Sequence, residues 1–353
     1  MGHRHALVTG YPGMIARRLV KKLLGTDDQL FITALIEASE AERAEAELLR
    51  IGAGDRLRVM TGDVTAMDLG LSGGEYRKLL DQTTEVYHLA ALQRLGVDRA
   101  LADRVNVRGT QNVLDFAGSL RHLERMVHFS SAFVSGSRVG VIREEELEHG
   151  SGFRNPYEAT KYQAELRVRE AQKRLPITIV RPSAVVGDSR TGEIDRMEGV
   201  YQFLILIAAS PAAFPIPLPG AGSAPLHLVP VDFVVDAVHA IASMAETIGK
   251  TYHIVDPSPW SARGVYELVA ERSGRRAPRY SVSPNLTKAL LRIPGLERFA
   301  PLSHQVVDYL NQLAFYAPAN TLDALEGTGI RCPRLESYID NLIAYVRTAG
   351  LAG

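Results

Sequence analysis

The segment His5-Ala-Leu-Val-Thr9-Gly10-Tyr11-Pro12-Gly13-Met14-Ile15-Ala16 joins a short apolar run to two closely spaced glycines and then to an amphipathic stretch. His5 to Thr9 predicts a strand. Met14 to Leu24 predicts a helix, because Ile15, Leu19, Val20, Leu23 and Leu24 fall on one helical face. Gly10 permits a tight turn between them. Gly13 lets the backbone approach a pyrophosphate, whose charge would sit at the helix N-terminus. Ala16 stands where a third glycine often stands, and a methyl group is tolerated there. A glycine turn at the first strand–helix junction of an alternating chain points to dinucleotide binding through Gly10, Tyr11, Pro12, Gly13, Met14 and Ile15.

Outward from this turn the alternation continues. Phe31–Ile36 reads as a second strand, followed by an Ala/Glu-rich helix through Leu49. Further strands are expected at Arg56–Met60, Glu85–Leu89, Arg125–Phe129 and Ile177–Val180, with a helix over Val105–Phe116. Such repeated crossovers call for an α/β fold, a Rossmann-type, doubly wound parallel sheet with helices on both faces. The pattern changes after Gly187. A helix over Val231–Ala245, a strand at Thr251–Val255, a helix over Ser261–Ser273 and helix through most of Pro284–Tyr316 are expected. The predicted organisation is a dinucleotide-binding domain over 1–187 and a smaller, mostly helical substrate cap over 188–353. Segments such as 231–255 would pack back on the Rossmann core.

Composition narrows the function classes. The 353 residues suit two packed units. Forty basic residues cancel forty acidic ones, so the chain has no electrostatic footprint for sequence-independent nucleic-acid binding. The single cysteine, Cys332, excludes an internal disulfide scaffold and fits a reducing compartment. The N-terminus carries no apolar signal region. The uncharged stretch Gly199–Val231 is broken by Pro211, Pro215, Pro217, Pro219, Pro225 and Pro230, which disqualifies it as a spanning helix. A soluble, cytoplasmic protein with no transmembrane segment is expected. No motif decides the assembly, a homodimer included.

Several polar residues stand where chemistry could use them. Glu37 closes the second strand, where a carboxylate can accept from both adenosine-ribose hydroxyls; a solvated helix-start carboxylate is the other reading. Asp63 follows the third strand and is either an acceptor for the adenine amino group or a turn aspartate. Tyr157 and Lys161 are spaced i and i+4, so they share a helical face. A neighbouring ammonium favours phenolate and would lower the tyrosine pKa from about 10. Ser130 and Ser131 end the fifth strand, where a hydroxyl could donate to a substrate carbonyl. His88 and His128 lack a metal-ligand partner at helical spacing and read as structural, with no metal expected. Cys332 has no evident base, and Trp260 reads as loop packing.

Together these residues resemble the extended short-chain dehydrogenase/reductases. The resemblance rests on Thr9-Gly10-x-x-Gly13, Gly62-Asp63-Val64, His88-Leu89-Ala90-Ala91, Asn106-Val-Arg-Gly109-Thr-Gln-Asn112-Val, Phe129-Ser-Ser131-Ala, Tyr157-x-x-x-Lys161 and Arg181-Pro182. It implies Ser131, Tyr157, Lys161 and Asn106 as the catalytic set. Ser130 matches less well than Ser131, which immediately precedes Ala132-x-Val-x-Gly136. The resemblance further implies cofactor contacts from Glu37, Asp63, Val64, Leu89, Ala90, Ala91, Tyr157, Lys161 and Pro182. Substrate contacts would come from Ser131, Ala132 and Phe133.

Asn155-Pro-Tyr157-Glu-Ala-Thr-Lys161-Tyr-Gln-Ala-Glu165, Val185-Val-Gly187-Asp-Ser-Arg-Thr-Gly192 and Val229-Pro-Val-Asp232 look like the fatty-acyl-CoA reductase and thioester-reductase branch. So does the tail from Phe315 to Tyr338. That branch usually carries arginine where this chain has Glu37. Glu37 favours NAD(H), whereas the resemblance, with Arg17, Arg18 and Arg43 in support, offers NADP(H). The expected activity is NAD(P)(H)-dependent reduction of a hydrophobic acyl thioester, aldehyde or ketone. A nucleotide-sugar epimerase or dehydratase and a non-catalytic dinucleotide sensor are the alternatives. Gly199–Val231 and Leu286–Leu313 would line an acyl cleft or form ordinary cap core.

Overall fold

The computed structural model describes residues 4–93, 96–195, 201, 202, 204, 207, 218–275, 281–290 and 304–349. Its central sheet has seven strands: β1 (Arg4–Thr9), β2 (Leu30–Ile36), β3 (Leu57–Thr61), β4 (Glu85–His88), β5 (Arg125–Phe129), β6 (Ile177–Pro182) and β7 (Thr251–Ile254). All pairings are parallel, in the spatial order β7-β6-β5-β4-β1-β2-β3. The chain therefore builds β2 and β3 to one side of β1, then reverses and builds β4 onward on the other. Such a reversal opens a crevice beyond the carboxyl ends of the two strands that flank it. Thr9 of β1 lies opposite His88 of β4, so Gly10 and Leu89 form the two lips of that crevice.

Helices flank the sheet, among them α1 (Met14–Thr26), α2 (Ala41–Ile51), α3 (Gly73–Gln82), α4 (Gly109–Ser119), α5 (Pro156–Gln172) and α6 (Val231–Ser243). Successive strand residues face opposite sides. Ala6 and Val8 accordingly join one core with Leu19, Val20, Ala44 and Val234, from α1, α2 and α6. Leu7 joins the other with Leu79, Val113 and Val168, from α3, α4 and α5. Strands buried on both faces carry continuous apolar runs rather than alternation, as β1 does. Helix α3 was not anticipated by periodicity. Its start is nevertheless written in Ser72-x-x-Glu75, a reciprocal capping box in which Ser72 Oγ accepts from Glu75 N and Glu75 Oε2 accepts from Ser72 N.

A third core gathers Tyr201, Leu228, Val265, Tyr338 and Leu342 from the second half of the chain. The expectation of helix through most of Pro284–Tyr316 is corrected here. Helices occupy Pro284–Leu290 and His304–Tyr309, but Ala314–Tyr316 is a strand that pairs in parallel with Gly140–Ile142. Ala314 and Tyr316 are buried while Phe315 faces out, an alternation of period two that helical spacing overlooks. Leu286 and Leu313 are exposed. The Leu290 side chain and Leu291, Ile293, Leu296, Phe299 and Leu302 lie outside the described residues. Of Gly199–Val231, Tyr201, Leu204 and Ile207 are buried, residues 208–217 lie outside the description, and the remainder forms short strands at Leu218–Pro219, Pro225–Leu226 and Leu228–Pro230. No helix among the described residues is long and apolar enough to cross a membrane.

Candidate active site

A cavity of about 490 Å³ follows the crevice from Gly10–Ala16, past Glu37, Gly62 and Val64, to Leu89–Gln93, Ser130, Ser131, Phe133, Tyr157, Lys161 and Pro182. Residues far apart in sequence thus line one continuous space. At its first end Gly10 has φ +82°, a left-handed conformation, and a Cβ there would meet Ala90 N at 2.7 Å. A Cβ on Gly13 would meet Gly10 O at 2.8 Å. No side chain caps α1 and its first turn contains no acid. The first N–H groups are therefore left for an anion at the positive end of the helix dipole. The donor set and the bare backbone fit a dinucleotide pyrophosphate.

The opposite lip is held by a buried hydrogen-bond chain. Thr9 Oγ1 accepts from Leu89 N (3.2 Å) and Ala90 N (3.1 Å). Its own proton then goes to His88 Nδ1, 2.8 Å away. His88 Nε2 in turn meets Thr110 Oγ1 at 3.0 Å, and Thr110 donates to Asn106 O at 2.6 Å. This order assigns the proton of the ring to Nε2. Burial, reinforced by the Lys161 charge, pushes His88 down to about 3, so it stays neutral. His88, expected to be structural, ties the cavity-facing strand end to the Asn106 turn. His128, its neighbour at 5.4 Å between ring centroids, is fully buried and has no side-chain hydrogen bond.

Helix α5 carries the other end. Asn155 caps it by accepting from Glu158 N at 3.0 Å, and Pro156 occupies the first turn, where its missing N–H costs nothing. Tyr157, Lys161 and Glu165 share its buried face. Lys161, 2% exposed, donates from Nζ to Phe129 O at 2.7 Å. Burial lowers its pKa to about 8, with Glu165 opposing. Tyr157 is also buried, and burial raises its pKa to about 12; a hydrogen bond with Ser131 lowers it in part, and the Glu158 charge raises it. The expected depression of Tyr157 by Lys161 is therefore not what the geometry gives. Without water around the phenol, loss of solvation dominates.

The two serines have separate fates. Ser130 donates to Glu165 Oε2 at 2.5 Å. Glu165 is fully buried against Arg181, and although burial raises its pKa, that guanidinium outweighs it and carries it down to about 2. Ser131 accepts from Phe133 N at 3.2 Å, which leaves its proton for another acceptor. Three expected site residues do not line the cavity. Asp63 accepts from Thr65 N (2.7 Å) and Thr65 Oγ1 (2.9 Å), as a turn aspartate does. Asn106, fully buried in a π-helical turn over Asp103–Arg108, accepts from Leu92 N at 2.7 Å and donates to Thr160 Oγ1 at 2.9 Å. Ala132 is buried behind Ser131. Tyr201 and Tyr309 line the cavity, from the two segments expected to line an acyl cleft or form cap core, and so does Asp195, which sequence reasoning missed and whose spacing does not announce it.

Comparison with known proteins agrees with this architecture. A family of NAD-binding domains described as male sterility protein matches residues 8–238. The chain belongs to this male sterility family. Within the wider set of similar proteins, it is 26% identical over 277 residues to fatty acyl-CoA reductase wat of Drosophila melanogaster, covering 67% of this chain and 53% of that protein. It is 26% identical over 314 residues to aldehyde reductase lnaA of Aspergillus flavus, covering 80% of this chain and 29% of that protein. The chain thus spans about half of the first relative and a smaller part of the second. Among solved structures, the terminal R domain of the myxalamid biosynthetic pathway superposes with a TM-score of 0.85 and 26% identity, over 99% of this chain and 92% of that one. This places the male sterility member among the extended short-chain dehydrogenase/reductase folds. UDP-glucuronic acid 4-epimerase from Bacillus cereus shares the fold at 20% identity, with a TM-score of 0.71 over 98% of this chain and 99% of that one.

Cys332 takes no part in the cavity. Burial, with Asp256 and Asp232 adding to it, pushes its thiol up.

Proposed function

We propose that this male sterility family member is a nicotinamide-dependent reductase of hydrophobic carbonyl compounds, acyl thioesters and long-chain aldehydes before lipid-like ketones. One observation carries the reading: a single cavity joins the bare glycine turn to Ser131, Tyr157 and Lys161. A reduced nicotinamide bound there supplies hydride. The chain's own residues do the rest. Ser131 donates to the substrate oxygen and fixes the carbonyl. Tyr157, kept as neutral phenol by burial, is in the form that gives a proton to that oxygen. Lys161 holds the end of β5 and would hold the nicotinamide ribose. With a thioester, hydride and proton addition gives a hemithioacetal; loss of thiolate leaves the aldehyde. The relatives named as fatty acyl-CoA reductase and aldehyde reductase support this class.

The walls near Ser131 support an apolar substrate. Phe133, Ala184, Val185, Val186, Tyr201, Leu228 and Tyr309 surround that end. NAD(H) is the favoured coenzyme. Glu37 lines the cavity at the end of β2, where a carboxylate would suit adenosine-ribose hydroxyls and repel a 2′-phosphate.

The test is a panel of acyl-CoAs and aldehydes of rising chain length, with NADH oxidation followed by absorbance. Each buried methylene contributes about 0.8 kcal/mol, nearly fourfold in kcat/KM. The expected profile climbs steeply until the cleft is filled. A flat profile, or preferred turnover of UDP- or GDP-sugars, would replace this reading with the epimerase or dehydratase one.

A further inference from the structure

Three arginines stand near the phosphate turn, and none of them is a free cation. Arg17 is 5% exposed. Its guanidinium pairs with Asp195, with Glu193 at 2.7 Å and with Glu47 at 3.6 Å. Arg18 meets Glu193 at 3.2 Å. Arg43 lines the cavity beside Glu37 and Glu40. Its Nη2 donates to Asp195 Oδ2 at 2.6 Å and reaches Pro12 O at 3.4 Å. Asp195 itself lines the cavity and comes from the second half of the chain. Asp195 therefore bridges Arg17 and Arg43, and of these two guanidinium groups only that of Arg43 lines the cavity.

We propose that Asp195 is a coenzyme-discriminating residue, which excludes a 2′-phosphorylated dinucleotide by holding Arg43. The inference rests on the reading of this cavity as a nicotinamide dinucleotide site. A phosphomonoester carries close to two charges and pairs best with a guanidinium fork. To seat one beside Glu37, Arg43 must leave Asp195. The freed carboxylate would then stand unpaired near the incoming phosphate. An adenosine ribose with two free hydroxyls demands no such exchange. Glu37 and Asp195 thus act differently: Glu37 repels the third phosphate directly, and Asp195 withholds its counter-charge.

Asp195 lies at the surface of the cavity mouth, with its side chain 17% exposed, so Asp195→Asn preserves shape and removes charge. Dissociation constants of NADH and NADPH are measured by nucleotide fluorescence for the wild type, Asp195→Asn, Arg43→Ala and the double variant. Asp195→Asn is expected to tighten NADPH by about tenfold while NADH moves by less than about threefold. Arg43→Ala in the Asp195→Asn background should cancel that gain. Equal changes for both coenzymes, or no change in their ratio, overturn the role of Asp195 while leaving the dinucleotide site intact. A wild type that binds neither coenzyme overturns both. The ratio within each variant is its own control for folding.

Discussion

The two ends of the cavity work by different means. At the glycine turn the ligand would meet backbone: uncapped N–H groups of α1 and a Gly10 whose missing Cβ leaves room beside Ala90. At the α5 end it would meet side chains, fixed by backbone or side-chain partners behind them. Lys161 is held by Phe129 O, Ser130 by Glu165, and Glu158 by Arg154 and Tyr309. A backbone site tolerates many neighbouring residues and fails on a single methyl. A side-chain site keeps its shape when one atom is removed, and loses its chemistry.

That contrast can be broken from either end. The largest effect is expected at the chemical end. Tyr157→Phe removes one oxygen and should lower kcat by about 10²-fold or more, with the NADH dissociation constant unchanged. Stopped-flow titration beside steady-state turnover separates the two; near-full turnover would favour a dinucleotide sensor. The reverse pattern is expected at the glycine turn. Gly10→Ala places a methyl 2.7 Å from Ala90 N at φ +82°, and this strain is worth about 1–3 kcal/mol. NADH affinity should fall by roughly tenfold, while kcat at saturating coenzyme changes little.

The smallest effect is the pH response. Lys161 titrates at about 8, below its ordinary value, so it is charged under neutral conditions and neutral above that point. If its ammonium orients the coenzyme ribose, kcat/KM for NADH should halve near pH 8 and continue to fall upward. A Lys161→Arg variant, charged throughout, should lose that limb. A profile flat to pH 9 would move the function of Lys161 from charge to packing.

The sheet was legible because its strands are apolar on both faces and its first turn carries glycines at a diagnostic place. Helix α5 was legible only by motif. Its buried face presents Glu158, Lys161 and Glu165, so hydrophobic periodicity alone would have put that face in solvent. Each of these charges is reconciled with burial by a partner distant in sequence, such as Arg181 or Tyr309, and a linear chain does not display such pairings. Asp195 was hidden for the same reason. The arginines of α1 and α2 could be suspected from sequence, but not the carboxylate that neutralises them. Tyr157 shows the limit of local spacing: the i, i+4 lysine was correctly placed on the same face, yet burial decides the phenol's acidity.

The clamp on the start of α5 has a consequence for the growing chain. Strands β1 and β4, with the turns that follow them, leave the ribosome before residue 100, and N-terminal units generally fold first. Yet Glu158, beside Tyr157, is held by a hydroxyl from Tyr309, which Asn155 also grips at 2.8 Å. The helix start that carries Tyr157 thus depends on a residue made about 150 positions later. Only when the last portion is translated can Tyr309 dock and lock the helix start.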